Sequence, residues 1–225
     1  MEYFGATFPG SELAGLDQEQ SFHVLTLLSL CVDNLRDAAL ALEMFNQALS
    51  LRIAVERDPE FDGDRGFPIV PGIGRVPLVY LDRLPLIHAR TVVYTLDGIG
   101  QALRGLAAVD GVPAKARVAS GEFNKHLSTV TPVRDSSHHM TERARGLNKQ
   151  GQMLNLKPIV DGPFKAPDGG VLVLDSLDDT SLCMTGNDGG FYQVSITSET
   201  LRNAKSCVRS AINSFHWTGD IQLFV

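Results

Sequence analysis

Cysteine is scarce and poorly placed for cross-linking. The chain of 225 residues has three, Cys31, Cys183 and Cys207, far apart and with no CxxC pair. An odd, dispersed set argues against a disulfide framework and a cysteine zinc site, and makes a reducing cytoplasm the default location. Long hydrophobic runs are missing too. The most apolar stretch, Phe22 to Val32, includes His23, Thr26 and Ser29, and falls well short of the ~20 residues that span a bilayer. No membrane association is expected. The opening MEYFGATFPG has no basic segment ahead of an apolar one, so no signal peptide is expected. Basic charge is not in excess. Lys and Arg number 20 against 26 Asp and Glu, a net charge of -6. That excludes a non-specific nucleic-acid coat but leaves room for a small local basic site. No P-loop, GxGxxG fingerprint, GxSxG elbow or HExxH pair occurs.

What is present is an ordinary globular composition, 44% apolar and 20% charged, in a chain long enough to bury a core unaided. Leu25, Leu28, Val32, Leu35, Ala39, Leu42, Phe45, Leu49 and Ile53 recur at steps of three and four. This predicts a helix over 18–57, stopped by Asp58-Pro59. The Gly- and Pro-rich segment 62–77, with Arg65 and Arg75, reads as a loop. A second helix is expected over 85–109, with Gly98, Gly100 and Gly105 packed closely on a neighbour, and Asp97 part of that packing. A third helical stretch runs over 114–147. Thr131-Pro132 inside it reads as a cap and a first-turn proline, so a new helix starts just before Arg134.

Beyond Gly151 the pattern shortens. Strands are predicted over 153–159, 170–174, 181–184 and 191–196, separated by turn sequences at Ala166-Pro-Asp-Gly-Gly, Asp178-Asp179 and Asn187-Asp-Gly-Gly. A last helix is expected over 198–215, after which His216-Trp217 anchors the tail onto the core. The fold class is mostly helical α+β. A single domain is expected: a helical bundle over 18–147, a small antiparallel meander over 151–197, and a C-terminal helix and tail over 198–225.

The densest polar cluster is Arg134-Asp135-Ser136-Ser137-His138-His139-Met140-Thr141-Glu142-Arg143. A helix start favours anions such as phosphate. Arg134 and Arg143 offer bidentate contacts to phosphoryl oxygens. An imidazole titrates near neutral pH, so His138 or His139 suits proton transfer. These groups suffice for phosphodiester cleavage without a metal or other cofactor. Five residues on a helix turn about 140°, so Arg134 and His139 of one helix point to different sides. His138 lies nearly in line with Arg134, and Glu142 with His138. The same residues therefore also read as a charge-paired solvent stripe.

The spacing arginine, polar residue, three more residues, histidine resembles the signature of the HEPN superfamily. It falls here on Arg134, Asp135 and His139, with His138 between them. The stretch 133–147 is also similar to bacterial proteins that carry this signature ahead of a strand-rich tail. The resemblance implies a helical fold and a homodimer in which two signatures face one cleft. It further implies a metal-independent endoribonuclease in which Arg134 stabilises phosphate charge, His139 is the acid and base, and Asp135 orients one of them. RNA is then the expected substrate.

Two rival functions use the same residues. One is a non-catalytic protein whose polar stripe is a dimer contact or a surface for a protein partner. The other is a metal hydrolase built on His138, Glu142 and Asp135, completed by His23, His88, His126 or a distant carboxylate. Cys31, on the apolar side of the first helix, reads as a core residue rather than a nucleophile.

Overall fold

A computed structural model describes residues 4, 6–57, 69–70, 74–161 and 164–221. Strand β1 (Glu12–Leu13) precedes the long helix α1 (Gln18–Glu56). Asp17 starts α1 with a reciprocal cap. Its carboxylate accepts from the Gln20 N–H at 2.8 Å, and the Gln20 side chain accepts from the Asp17 N–H at 3.2 Å. The buried face of α1 is Val24, Leu28, Cys31, Leu35, Ala38, Leu42 and Phe45. It is turned slightly from the expected one, and Ile53 is exposed. Cys31 is in the core, where burial pushes its thiol up to about 12.

Strands β2 (Ile69–Val70) and β3 (Gly74–Arg75) pair antiparallel within the segment read as a loop. Asp58-Pro59, the first glycine-rich motif with Arg65, and most of the second lie outside the described residues. Helix α2 (Leu78–Ala108) begins seven residues before the expected start and carries Pro85 inside it. A small apolar cluster of Leu81 and Val55, flanked by Leu51, Leu78 and Leu84, explains the extension. Packing overrides the local preference of proline for a helix start.

Helices α1 and α2 run antiparallel, because Gly105 lies against Leu27, Gly98 against Asn34, and Arg52 pairs with Asp82 at 3.2 Å. A Cβ on Gly98 would stand 2.6 Å from the Asn34 side chain. The expected close packing of these glycines is present.

The helical stretch expected over 114–147, with a new start just before Arg134, is three helices: α3 (Ala114–His126), α4 (Val130–His138) and α5 (Met140–Ala144). The break comes at 127–129, so Thr131 is inside α4 and does not cap it. Pro132 still falls in the first turn, where no N–H is needed.

The sheet is β4 (Ser176–Asp178), β5 (Ser181–Thr185) and β6 (Phe191–Ser195), antiparallel in that order. The strands predicted over 153–159 and 170–174 do not form. These segments are irregular: 153–159 is tied by single bridges, Leu147 to Met153 and Ile159 to Ala166, and 171–173 by hydrogen bonds with Thr185. Their alternation is absorbed by packing on the hairpin instead, as the Lys157 N–H bond to the Gly189 carbonyl at 3.0 Å shows. Gly189, in the β5–β6 turn, has φ +79, and a Cβ there would meet the Asn155 carbonyl at 1.9 Å. Only glycine fits.

Helix α6 (Ser198–Ile212) follows, capped by the Thr197 hydroxyl, and β7 (Trp217–Thr218) returns to pair with β1. Trp217 donates to the Ile212 carbonyl at 2.8 Å and stacks on Phe8, which anchors the tail. One buried apolar cluster joins α1, α2, α3, α4, β5, β6 and α6. The fold is mostly helical α+β. Among the described residues no helix is long and apolar enough to cross a membrane.

Candidate functional site

The site is organised by a residue outside the polar cluster. Asp97 lies mid-way along α2, between Leu96 and Ile99 on its buried side, and is 2% exposed. Four donor contacts hold its carboxylate. Thr131 donates to Oδ1 at 2.8 Å, Arg134 Nε donates to Oδ2 at 2.8 Å, and Arg134 Nη2 stands 2.7 Å from the same oxygen. Gln101 Nε2 donates to Oδ2 as well. Burial alone would raise the Asp97 carboxyl. The hydrogen bonds from Gln101, Arg134 and Thr131, with the Arg134 charge, outweigh it and hold the group below the ordinary carboxylate value. Burial would likewise lower the Arg134 guanidinium, but Asp97 and Asp135 outweigh it and raise it.

Arg134 is thus fixed by its Nε–Nη2 edge to α2, while Nη1 is 2.8 Å from Asp135. Its side chain is 25% exposed, so part of the guanidinium still faces solvent. Asp135 also stands 3.8 Å from Lys149. The four charges Arg134, Lys149, Asp97 and Asp135 cancel.

His139 ends α4 with φ -101 and ψ 39, and its N–H still bonds the Asp135 carbonyl at 3.0 Å. It therefore keeps its helical position, one turn beyond Asp135 and about 140° from Arg134. Its ring, 33% exposed, lies 3.8 Å from Glu142 through Nδ1. His138 is exposed and meets the His139 ring edge-on at 5.1 Å between centroids. Ser136 and Ser137 hold α4 onto the sheet. Ser136 donates to the Thr185 carbonyl at 2.8 Å, and Ser137 to the Met184 sulfur at 3.4 Å.

Three expectations are corrected. Arg143 is no phosphate ligand. It is 0% exposed, with Nη1 donating to the Leu147 carbonyl at 2.6 Å and Nη2 to the Asn187 side chain at 3.1 Å. Its Nε is buried with no hydrogen-bond partner among the described residues. Burial pushes this guanidinium below its ordinary value, against the opposing charges of Glu142 and Asp135. The stripe Arg134–His138–Glu142 does not form either. The chain turns at His139 and resets the helical phase, so Glu142 faces His139, while Arg134 is taken by Asp97 and Asp135. Third, Asp97 is more than packing. A lone carboxylate inside an apolar stripe is the signal that marks it.

Among the described residues no three His, Cys, Asp or Glu side chains gather as a metal site would require. His126 instead lies 3.6 Å from Glu122 on its own helix. Comparison with protein-family models, curated proteins and solved structures finds no match to this chain.

Proposed function

We propose that this protein is a HEPN-like, metal-independent endoribonuclease that works as a homodimer. The observation that carries the reading is the presence of two unlike, partly exposed groups on α4 and at its C-terminal cap. Arg134 is a guanidinium fixed by a buried carboxylate, and His139 is an imidazole beside a carboxylate. In the reaction His139 takes the proton of a ribose 2′-hydroxyl, and the 2′-oxygen attacks the adjacent phosphorus. The bond from phosphorus to the 5′-oxygen breaks. The proton returns to that oxygen, leaving a 2′,3′-cyclic phosphate and a free 5′-hydroxyl. Arg134 stabilises the charge that grows on the phosphoryl oxygens. Asp97 and Asp135 position Arg134, and Glu142 orients His139.

Because Arg134 and His139 of one chain diverge, the working pair comes from two copies facing one cleft. Tyr80, Ile87 and Tyr94 support such a pairing. They recur at seven-residue steps along α2, and all are exposed. The test is purified protein with RNA and a chelator, beside His139→Ala and Arg134→Ala. Each variant should lose about 100-fold or more in cleavage rate. Equal cleavage by all three proteins, or none by the unaltered one, removes the enzymatic reading.

One observation favours a second reading, a non-catalytic interaction surface. Asp135 occupies Nη1 of Arg134, and the cancelling charges give an incoming phosphate little net attraction. On that reading Arg134→Ala weakens self-association in sedimentation experiments, and no turnover is detected in any variant.

A further inference from the structure

Asp135 is shared between two cations. Its Oδ1 lies 2.8 Å from Nη1 of Arg134, and its Oδ2 lies 3.8 Å from the Lys149 ammonium. The first distance is a hydrogen-bond contact. The second is about 1 Å longer than a charge-assisted N–H···O bond, so Lys149 stands beside one oxygen without gripping it. Lys149 is exposed and Asp135 partly so, and both side chains can shift at their ends without opening the core.

The backbone that carries Lys149 is held on two sides. Its N–H donates to Asn187 Oδ1 at 2.7 Å, and the same oxygen accepts from buried Arg143 at 3.1 Å. Arg143 also holds the Leu147 carbonyl at 2.6 Å. The Asn148 side chain closes the turn, accepting from the N–H groups of Gln150 at 3.0 Å and Gln152 at 2.9 Å. A flexible four-carbon stem on an anchored backbone gives the ammonium a short, defined reach. Arg134 is anchored differently. Buried Asp97 holds its Nε and Nη2, so Nη1 is the nitrogen that Asp135 contests with a ligand. A phosphodiester arriving at Nη1 meets the Asp135 carboxylate on the same nitrogen, and the two anions repel.

We infer that Asp135 is handed from Arg134 to Lys149 when phosphate binds, which releases Nη1 to a phosphoryl oxygen. The choice of an RNA phosphodiester as that anion rests on the endoribonuclease reading. Lys149 is then a positioning residue, acting through Asp135 and touching no reacting atom. The exchange keeps every charge paired. Arg134 trades a carboxylate for a phosphate, and Asp135 trades a guanidinium for an ammonium. Asp97 stays in place, so the guanidinium keeps its orientation. Arg143 also feels the Asp135 charge, but it is sealed from solvent and tied to Leu147 and Asn187, so it does not follow the carboxylate.

The experiment uses the full chain and a labelled single-stranded RNA carrying 2′-O-methyl groups throughout, which has no 2′-hydroxyl nucleophile and is not cut. Fluorescence anisotropy compares the unaltered protein, Lys149→Gln, Asp135→Asn and the double variant. Lys149→Gln should weaken binding about tenfold, and Asp135→Asn should tighten it. Once Asp135 is Asn, Lys149→Gln should cost about twofold or less. Lys149→Arg, which keeps the charge, should stay within about twofold of the unaltered protein. Circular dichroism checks each fold, and Asp135→Ser replaces Asp135→Asn should that variant unfold. An equal loss from Lys149→Gln in both backgrounds means that Lys149 touches phosphate directly, and overturns the handover. No loss in either background, no tightening by Asp135→Asn, or no binding by any of the four proteins overturns it too. Unmodified RNA with a chelator separates the two readings. Cleavage without the coupling between positions 135 and 149 removes the handover alone, and the coupling without cleavage removes the nuclease alone.

Discussion

Arg134 and Arg143 come from one short polar run, yet the fold treats them in opposite ways. Arg134 keeps a quarter of its side chain in solvent and is matched by carboxylates on both sides of its guanidinium. Arg143 is sealed from solvent. Among the described residues it meets no carboxylate within ion-pair distance, and its Nε has no partner. The first is an exposed charge made rigid. The second is a buried charge used as a clip between α5, the Leu147 carbonyl and the Asn187 turn. A group meant to meet a ligand needs fixed geometry and access, and Arg134 has both. A group that ties two loops needs reach and several donors, which a guanidinium supplies even with one donor unused.

The contrast is tested most directly at Arg143. Arg143→Ala leaves a cavity and strips a partner from a buried carbonyl. It should cost about 3–5 kcal/mol in urea unfolding. Arg143→Met fills most of the space and removes the burden of burying a charge, so it should cost about half as much or less. Equal losses for Ala and Met would mean that hydrogen bonds, not volume, hold the clip. A loss near zero for Ala would contradict its burial altogether.

This difference between the arginines is not legible in the sequence. Both occur in the same polar run, and both read there as phosphate ligands. What separates them is tertiary. Asp97 reaches Arg134 from α2, and Asn187 reaches Arg143 from the β5–β6 turn. Neither contact has a periodic signature. Local signals fared better where the cause was itself local. The apolar steps from Leu25 onward give a helix expected from 18, and α1 begins there. Leu201, Ala204, Val208 and Ile212 announce the buried side of α6, and Asn187-Asp-Gly-Gly announces its turn. The strands expected over 153–159 and 170–174 failed for the converse reason. Alternation marks which side chains are buried, but pairing partners decide whether a strand forms, and here 153–159 meets only single bridges while 171–173 is held at Thr185 alone. The turn at His139 carries no local signal, because no Gly or Pro stands there.

A smaller effect is expected at the matched arginine. Arg134→Met leaves Asp97 buried with only Thr131 and Gln101 as donors. It should cost about 2–3 kcal/mol, below the full buried-pair penalty because the arginine is partly solvated. Asp97→Asn alone should also destabilise. A double-mutant cycle between the two positions should return a coupling of about 1–3 kcal/mol. The corresponding cycle between Arg143 and Asn187 should return less, since a guanidinium–amide bond carries one charge rather than two. A coupling at Arg134–Asp97 no larger than at Arg143–Asn187 would erase the distinction between a charge matched by charge and a charge held by dipoles.

The smallest effect is the dependence on pH, and its sign separates the regions again. The Asp97 carboxyl is held below its unfolded value. Its contribution to stability is therefore fully present above the unfolded carboxylate pKa of about 3.9, and is lost as pH falls through the lower folded value. In that acid window the unaltered protein should lose stability more steeply than Asp97→Asn, whose side chain binds no proton there. The Arg143 clip contains no carboxylate ligand among the described residues, so Arg143→Met should leave the acid limb of the unfolding curve parallel to that of the unaltered protein. Chemical denaturation at a series of pH values between neutrality and the acid limb reads both slopes. If Asp97→Asn and the unaltered protein fall in parallel, Asp97 titrates alike in the folded and unfolded chain. The buried carboxylate then could not be what holds Arg134 in place.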